Sequence, residues 1–214
     1  KALAALAPYL QEELLRQALD IAKKIKDEDY RGRALAALAF PLLRKLKEPK
    51  EQTLCEVLAV ARKIRWMAPR ALALVRLASH LPSEHRPQVL TEALTAIREI
   101  GGEYARVRAL ATLVPYLLPE QQHQVLSEAL ATARGIPDAG DRIEALSTLA
   151  FHLPSDQRPQ VLAEALTAAK EIRDADDRAK ALLGLAPLLP PNLLLQALAA
   201  TKKIRDEDAR GETL

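Results

Sequence analysis

Leucine recurs along this chain on a fixed frame. One Leu stands at Leu3, Leu35, Leu74, Leu110, Leu146 and Leu182, and again at Leu214. A partner one helical turn on stands at Leu6, Leu38, Leu77, Leu113, Leu149 and Leu185. A second segment carries Leu15, Leu54, Leu90, Leu126, Leu162 and Leu194, then Leu19, Leu58, Leu94, Leu130, Leu166 and Leu198. It closes on Ile25, Ile64, Ile100, Ile136, Ile172 and Ile204. Polar residues fill the gaps. Apolar positions three or four apart form one stripe along a helix. In the fifth unit Ile143, Leu146, Leu149 and Leu153 make the first stripe, and Leu162, Ala165, Leu166, Ala169 and Ile172 the second.

The chain therefore reads as six helix hairpins of about 36 residues. They run over 1–30, 31–69, 70–105, 106–141, 142–177 and 178–209, with a seventh starting at 210–214. No hairpin buries its apolar faces by itself, whereas stacked neighbours bury them in one continuous core. The expected fold is all-α: an α-solenoid of six hairpin repeats forming a curved superhelix, one helical-repeat domain over 1–214.

Spacing separates rigid from tolerant connections. From the second segment's Leu to the next unit's first Leu is always 16 residues, as in Leu19 to Leu35 and Leu166 to Leu182. Within a unit the step is 13, 17 or 20, so the length changes are four and three residues, close to one helical turn. The longest inner turn, RKLKEPKE at 44–51, should project. Asp138, Asp174 and Asp206 sit where an N-cap belongs, and Ser83 and Ser155 where the second helices should be capped. Lys and Arg crowd the ends of second helices and acids the starts of the next first helices, opposing the helix dipole.

The stretches DAGDRIEALSTL at 138–149 and DADDRAKALLGL at 174–185 resemble HEAT-like repeats, and the hairpin array is also TPR-like. In the HEAT family an Asp and an Arg in this neighbourhood tie successive repeats together, and the first helix lines the concave face. The wording ALAxLAPxLP…EALxxAxxI is similar to degenerate helical arrays in bacterial signalling ATPases of the NACHT/NB-ARC type. That resemblance implies a sensing or scaffold arm of a larger multidomain protein.

Composition narrows the chemistry. Lys and Arg number 31 against 28 Asp and Glu, a net charge of +3, too balanced for a protein defined by phosphate contacts. The seven aromatics are not interleaved with the basic residues, so nucleic-acid binding is not expected. The lone Cys55 allows no internal disulfide and fits a reducing, cytoplasmic setting. No apolar run reaches the length of a membrane span. There is no G-x-x-x-x-G-K-[ST] loop, G-x-S-x-G elbow or H-E-x-x-H pair. The four His share no zinc spacing. The expectation is no enzyme, no metal and no cofactor.

Arg31, Arg70, Arg106, Arg142, Arg178 and Arg210 stand four residues before each first-helix Leu. Asp27, Asp138, Asp174 and Asp206 stand four before their Arg, the spacing of neighbours on one helix face. Asp27–Arg31, Asp138–Arg142, Asp174–Arg178 and Asp206–Arg210 are read as a structural ladder that fixes repeat register. Trp66 and Gly102 replace the Asp in two units, so Arg70 and Arg106 lack it. Trp66, Met67 and Arg70 then make a candidate binding patch, with Arg106 a further candidate contact, because Trp and Arg are enriched at interface hot spots. The alternative is that Trp66 packs on the 44–51 turn or stacks on Arg70. Along the first helices the interior positions are mostly small, which suits a shallow groove for a helix or extended peptide. Arg76, Thr112 and Thr148 are the candidate contacts there. The expected function is a non-enzymatic scaffold for a protein or peptide partner. A structural or engineered scaffold that associates end to end, or a polyanion-binding module, are the alternatives.

Overall fold

Alanine and leucine favour helix, and Pro, Gly and Asp at fixed offsets punctuate it. The computed structural model describes residues 6, 9–45, 50–79 and 81–211, leaving aside the side chains of 29, 33, 36, 39, 40, 42–45, 50–54 and 202–211. Among the described residues the regular structure is helical, with no strand. In chain order the helices are α1 (Glu12–Lys23), α2 (Glu28–Lys45), α3 (Lys50–Arg62), α4 (Met67–Ala78), α5 (Arg86–Arg98) and α6 (Glu103–Leu113). Then come α7 (Pro119–Arg134), α8 (Ala139–Ala150), α9 (Arg158–Glu171), α10 (Ala175–Leu185) and α11 (Pro191–Gly211). Short 3₁₀ turns at Val114–Tyr116 and Ala186–Leu188 follow α6 and α10.

The chain divides into two compact units, Lys1–Pro119 and Glu120–Leu214. In the first, α2 packs on α1, α3 and α4, and α4 on α3, α5 and α6. In the second, α9 packs on α8, α10 and α11, α10 also on α8 and α11. The frame leucines are the core of both: Leu35, Leu38, Leu74 and Leu77 in the first, Leu146, Leu149, Leu162 and Leu166 in the second are buried. Close approach is built in at one glycine. A Cβ on Gly32 of α2 would lie 2.9 Å from the Pro69 carbonyl oxygen of α4.

The short links between hairpins share one construction. Asp27, Asp138 and Asp174 are N-caps, each accepting from the backbone N–H three residues on: Tyr30 at 2.9 Å, Asp141 at 2.8 Å and Asp177 at 2.9 Å. The Arg beside each Asp turns elsewhere. Arg31, Arg142 and Arg178 donate to the carbonyls of Ile25, Ile136 and Ile172, at 2.9, 3.1 and 2.7 Å. Arg106 makes the same bond to Ile100 at 3.3 Å. Those carbonyls stand one or two residues past the end of the preceding second helix, where the backbone has left the helical ladder. Asp and Arg thus fix the link through different partners, the Asp starting one helix and the Arg closing the helix before it.

Second helices are also tied to one another. Lys23 of α1 meets Glu56 of α3 at 2.8 Å. Arg62 of α3 meets Glu92 of α5 at 2.7 Å, and Arg134 of α7 meets Glu164 of α9 at 2.8 Å. Both Arg–Glu pairs are two-pronged.

Three expected boundaries move. Ser83 and Ser155 are not N-caps: α5 and α9 start at Arg86 and Arg158, behind His85 and Gln157. The Pro82 and Pro154 carbonyls accept from the N–H groups of the residues three and four on, so each Ser lies in a turn rather than at the helix start. Asp206 does not begin a new helix, because α11 runs unbroken to Gly211. Its segment KKIRDEDAR is rich in helix formers with opposite charges three and four apart, which carries the helix through. The Asp206 and Arg210 side chains, His80 and part of the 44–51 turn lie outside the described residues.

Candidate functional site

Two open grooves lie between consecutive first helices, one in each unit. In the first unit the groove between α4 and α6 has a volume of about 350 Å³. Ala68, Leu72 and Val75 form one wall, and Ala105, Arg108 and Thr112 the other. In the second unit the groove between α8 and α10 has a volume of about 660 Å³. Its walls are Gly140, Glu144 and Ser147 against Asp177, Lys180 and Gly184, with Ala181 between the last two.

The two grooves occupy the same repeat positions. Ala68, Leu72 and Val75 correspond to Gly140, Glu144 and Ser147; Ala105, Arg108, Ala109 and Thr112 correspond to Asp177, Lys180, Ala181 and Gly184. These are helical stripes at i, i+4, i+7 and i, i+3, i+4, i+7. Small residues at 109, 181 and 184 keep the walls low.

Their chemistry differs. The first groove is apolar with one cation, Arg108, whose guanidinium lies 5.6 Å from the centre of the Tyr104 ring. The second is polar and charged. Lys180 meets Asp177 at 2.9 Å, and this bond raises the lysine pKa above its ordinary value. Glu144 is exposed on the opposite wall. The Ser147 hydroxyl is buried without a hydrogen-bond partner. Around it, Phe151, Pro187 and Leu188 line a smaller recess of about 170 Å³.

Thr112 lines the first groove, as the small-residue pattern suggested. Its hydroxyl is spent on its own helix, donating to the Arg108 carbonyl at 2.9 Å. Thr148 is half-buried on α8 and lines neither groove, and Arg76 lies exposed in the last turn of α4. Sequence reasoning expected a shallow groove along the first helices, but not which stripes face each other across it. The signal was there: small residues at 105, 109, 181 and 184, on one stripe per helix.

Trp66, Met67 and Arg70 do not form one free patch. Trp66 is the N-cap of α4 and is 63% exposed. Arg65, not Arg70, lies over its ring at 5.6 Å, and its N–H donates to Glu28 of α2 at 2.9 Å. Arg70 donates to the Met67 sulfur at 2.8 Å and lies 3.7 Å from Glu99 at the end of α5. Arg70 therefore has an acid beside it although Trp66 stands at the Asp position. Arg142 and Glu171 form the corresponding pair in the second unit. Arg106 is half-buried and held by Ile100, which leaves its guanidinium facing the link rather than a partner.

Among the described residues no group of His, Cys, Asp or Glu could hold a metal ion, and no helix is long and apolar enough to cross a membrane. No protein-family profile and no curated protein matches the chain. Among solved structures, a cryo-EM structure of a de novo designed 16-helix transmembrane nanopore is similar at 20% identity over 99% of this chain, with a TM-score of 0.16. The match covers 65% of that chain, so this one spans less than two thirds of its length. At that score the likeness carries no argument about arrangement or function.

Proposed function

We propose that the chain is a non-enzymatic helical-repeat scaffold that holds a helical or extended segment of a partner protein in its first-helix grooves. The observation that carries this reading is the recurrence of a low-walled groove at the same repeat positions in both units. Repeat arrays bind along surfaces assembled from equivalent positions of successive units. A shallow apolar trough between helices suits side chains presented at helical or alternating spacing. The HEAT-like solenoid and the attachment to a larger signalling protein belong to this same proposal. The contact order within each unit supports the first, since α2 and α4, α4 and α6, and α8 and α10 pack as first helix on first helix. The second rests on the sequence resemblance.

Opposite chemistry in the two grooves gives them different preferences. Arg108 favours a segment carrying a carboxylate, and Glu144 one carrying a cation. The test is display selection of random peptides on the immobilised chain, followed by binding to a groove-filled variant. Gly184→Trp is suitable because a side chain at Gly184 meets nothing within 4 Å. Selected peptides should bind the wild type and lose at least about tenfold in affinity on Gly184→Trp or Ala109→Trp. Enrichment no better than on a blank surface, or binding indifferent to both substitutions, rejects the reading.

A further inference from the structure

The α8–α10 groove is acidic where the α4–α6 groove is apolar. Three carboxylates line it, Asp138, Glu144 and Asp177, against one cation, Lys180. In the α4–α6 groove Arg108 is the one charged residue of the lining. Repeat register shows the change position by position. Glu144 stands where the other groove has Leu72, and Asp177 where it has Ala105. The three acids are not equally occupied. The Asp138 carboxylate caps α8, accepting from the Asp141 N–H at 2.8 Å. Asp177 is shared with Lys180. Among the described residues Glu144 has no ion-pair partner, and it is exposed. The field along the α10 wall is negative as well: Asp177 first, then Asp176 and Asp174, raise the Lys180 pKa. On the α8 wall the Ser147 hydroxyl is buried without a partner, a group that an incoming N–H donor satisfies.

We propose that the α8–α10 groove takes a basic segment of a partner protein, with arginine or lysine side chains drawn to Glu144 on one wall and Asp177 on the other. Charge complementarity names the occupant. The lining has two more carboxylates than cations, set among Ile143, Ala181 and Leu185, and apolar walls concentrate the field of the charges between them. Net charge points the other way: the whole chain carries +3, which by itself favours an acidic segment. A preference for a basic one therefore reports the groove and not the bulk charge. The inference rests on the peptide reading above and adds the sign of the segment's charge.

The test is fluorescence anisotropy of the full chain with two labelled alanine-rich peptides of equal length, one carrying arginines and the other glutamates at the same positions. At low salt the arginine peptide should bind at least about tenfold more tightly, and added salt should narrow the gap. Glu144→Lys should weaken the arginine peptide by about tenfold, and Lys180→Glu should strengthen it. Both side chains are exposed, so circular dichroism should report unchanged helix content. Glu120→Lys makes the same charge change on α7, outside the lining, and should alter binding by less than about twofold. A preference for the glutamate peptide, no preference, or equal losses on Glu120→Lys and Glu144→Lys overturns the proposal. A display-selected peptide that is lost on Gly184→Trp but indifferent to Glu144→Lys also overturns it, and leaves the peptide reading in place. Failure of both labelled peptides and of every selected peptide to bind removes that reading and this inference with it.

Discussion

Arg178 donates to the Ile172 carbonyl at 2.7 Å, and that bond ties the start of α10 to the end of α9. Arg31, Arg106 and Arg142 repeat it on Ile25, Ile100 and Ile136. Arg178 is the one buried charged residue among the described residues, and it also donates to the Arg173 carbonyl at 3.1 Å. Replacing it with Met keeps the stem but strands two carbonyls. Arg178→Met should cost about 2 kcal/mol in urea unfolding, since hydrogen bonds from charged donors are worth more than neutral ones. Arg106→Met, at a longer bond, should cost less. Equal small losses at both positions would show that the links do not depend on these bonds.

Two glycines should respond in opposite directions to the same substitution. Gly32→Ala drives a methyl to 2.9 Å from a backbone oxygen, and helix α2 or α4 has to move. We expect a loss of about 1–3 kcal/mol. Gly184→Ala meets open space in the last turn of α10 and should gain about 0.5 kcal/mol at most from helix propensity. Thermal or urea midpoints shifting the same way at both sites would contradict the close packing of α2 on α4.

The Arg62–Glu92 pair joins α3 to α5 through two parallel bonds, which raise the arginine pKa. The pair is partly exposed, so its worth is small, about 0.5 kcal/mol. Arg62→Glu or Glu92→Arg should destabilise, and the double reversal should recover most of the loss. A double-mutant cycle at low and high salt measures the coupling, which should shrink with salt. A coupling of zero at low salt would mean that the ladder of second helices carries no energy.

Burial of half-exposed His152 at the end of α8 lowers its pKa below the ordinary value of 6.5. In the window between the lowered pKa and 6.5 the unfolded chain binds more protons than the folded one. Stability is therefore whole above pH 6.5 and falls as pH drops from there through the folded pKa. His152→Leu, which installs the residue found at the equivalent Leu188, should flatten that acid-side decline. Urea midpoints at about pH 7.5 and about pH 5 test it; a decline of unchanged size in the variant would assign it to other groups.

Leucine periodicity made the helices and their core legible. Leu35, Leu74, Leu110, Leu146 and Leu182 are all buried, because a stripe that repeats every three or four residues has one place to go. Asp138 and Asp174 were legible as caps, since a short acceptor before an apolar stripe has a single local partner. What Arg70 and Arg142 meet was not. Glu99 and Glu171 lie far along the chain, and nothing in the spacing points a long side chain at one acid over another. A shallow groove along the first helices was expected, but which stripes would face each other was not legible. A groove is a property of two helices, and Ala109, Ala181 and Gly184 announce only that something small stands there. The Ser83 and Ser155 caps failed for a local reason: the carbonyls of Pro82 and Pro154 take the N–H groups that open α5 and α9.

The claim that a partner segment lies between first helices is tested most directly by methyl-detected nuclear magnetic resonance. The full chain would be titrated with a peptide selected by display on it. Shifts concentrated on Leu72 and Val75, or on Ile143, Ala181 and Leu185, and abolished by the matching groove-filling substitution, are the predicted result. Shifts confined to the surroundings of Trp66 would contradict the account.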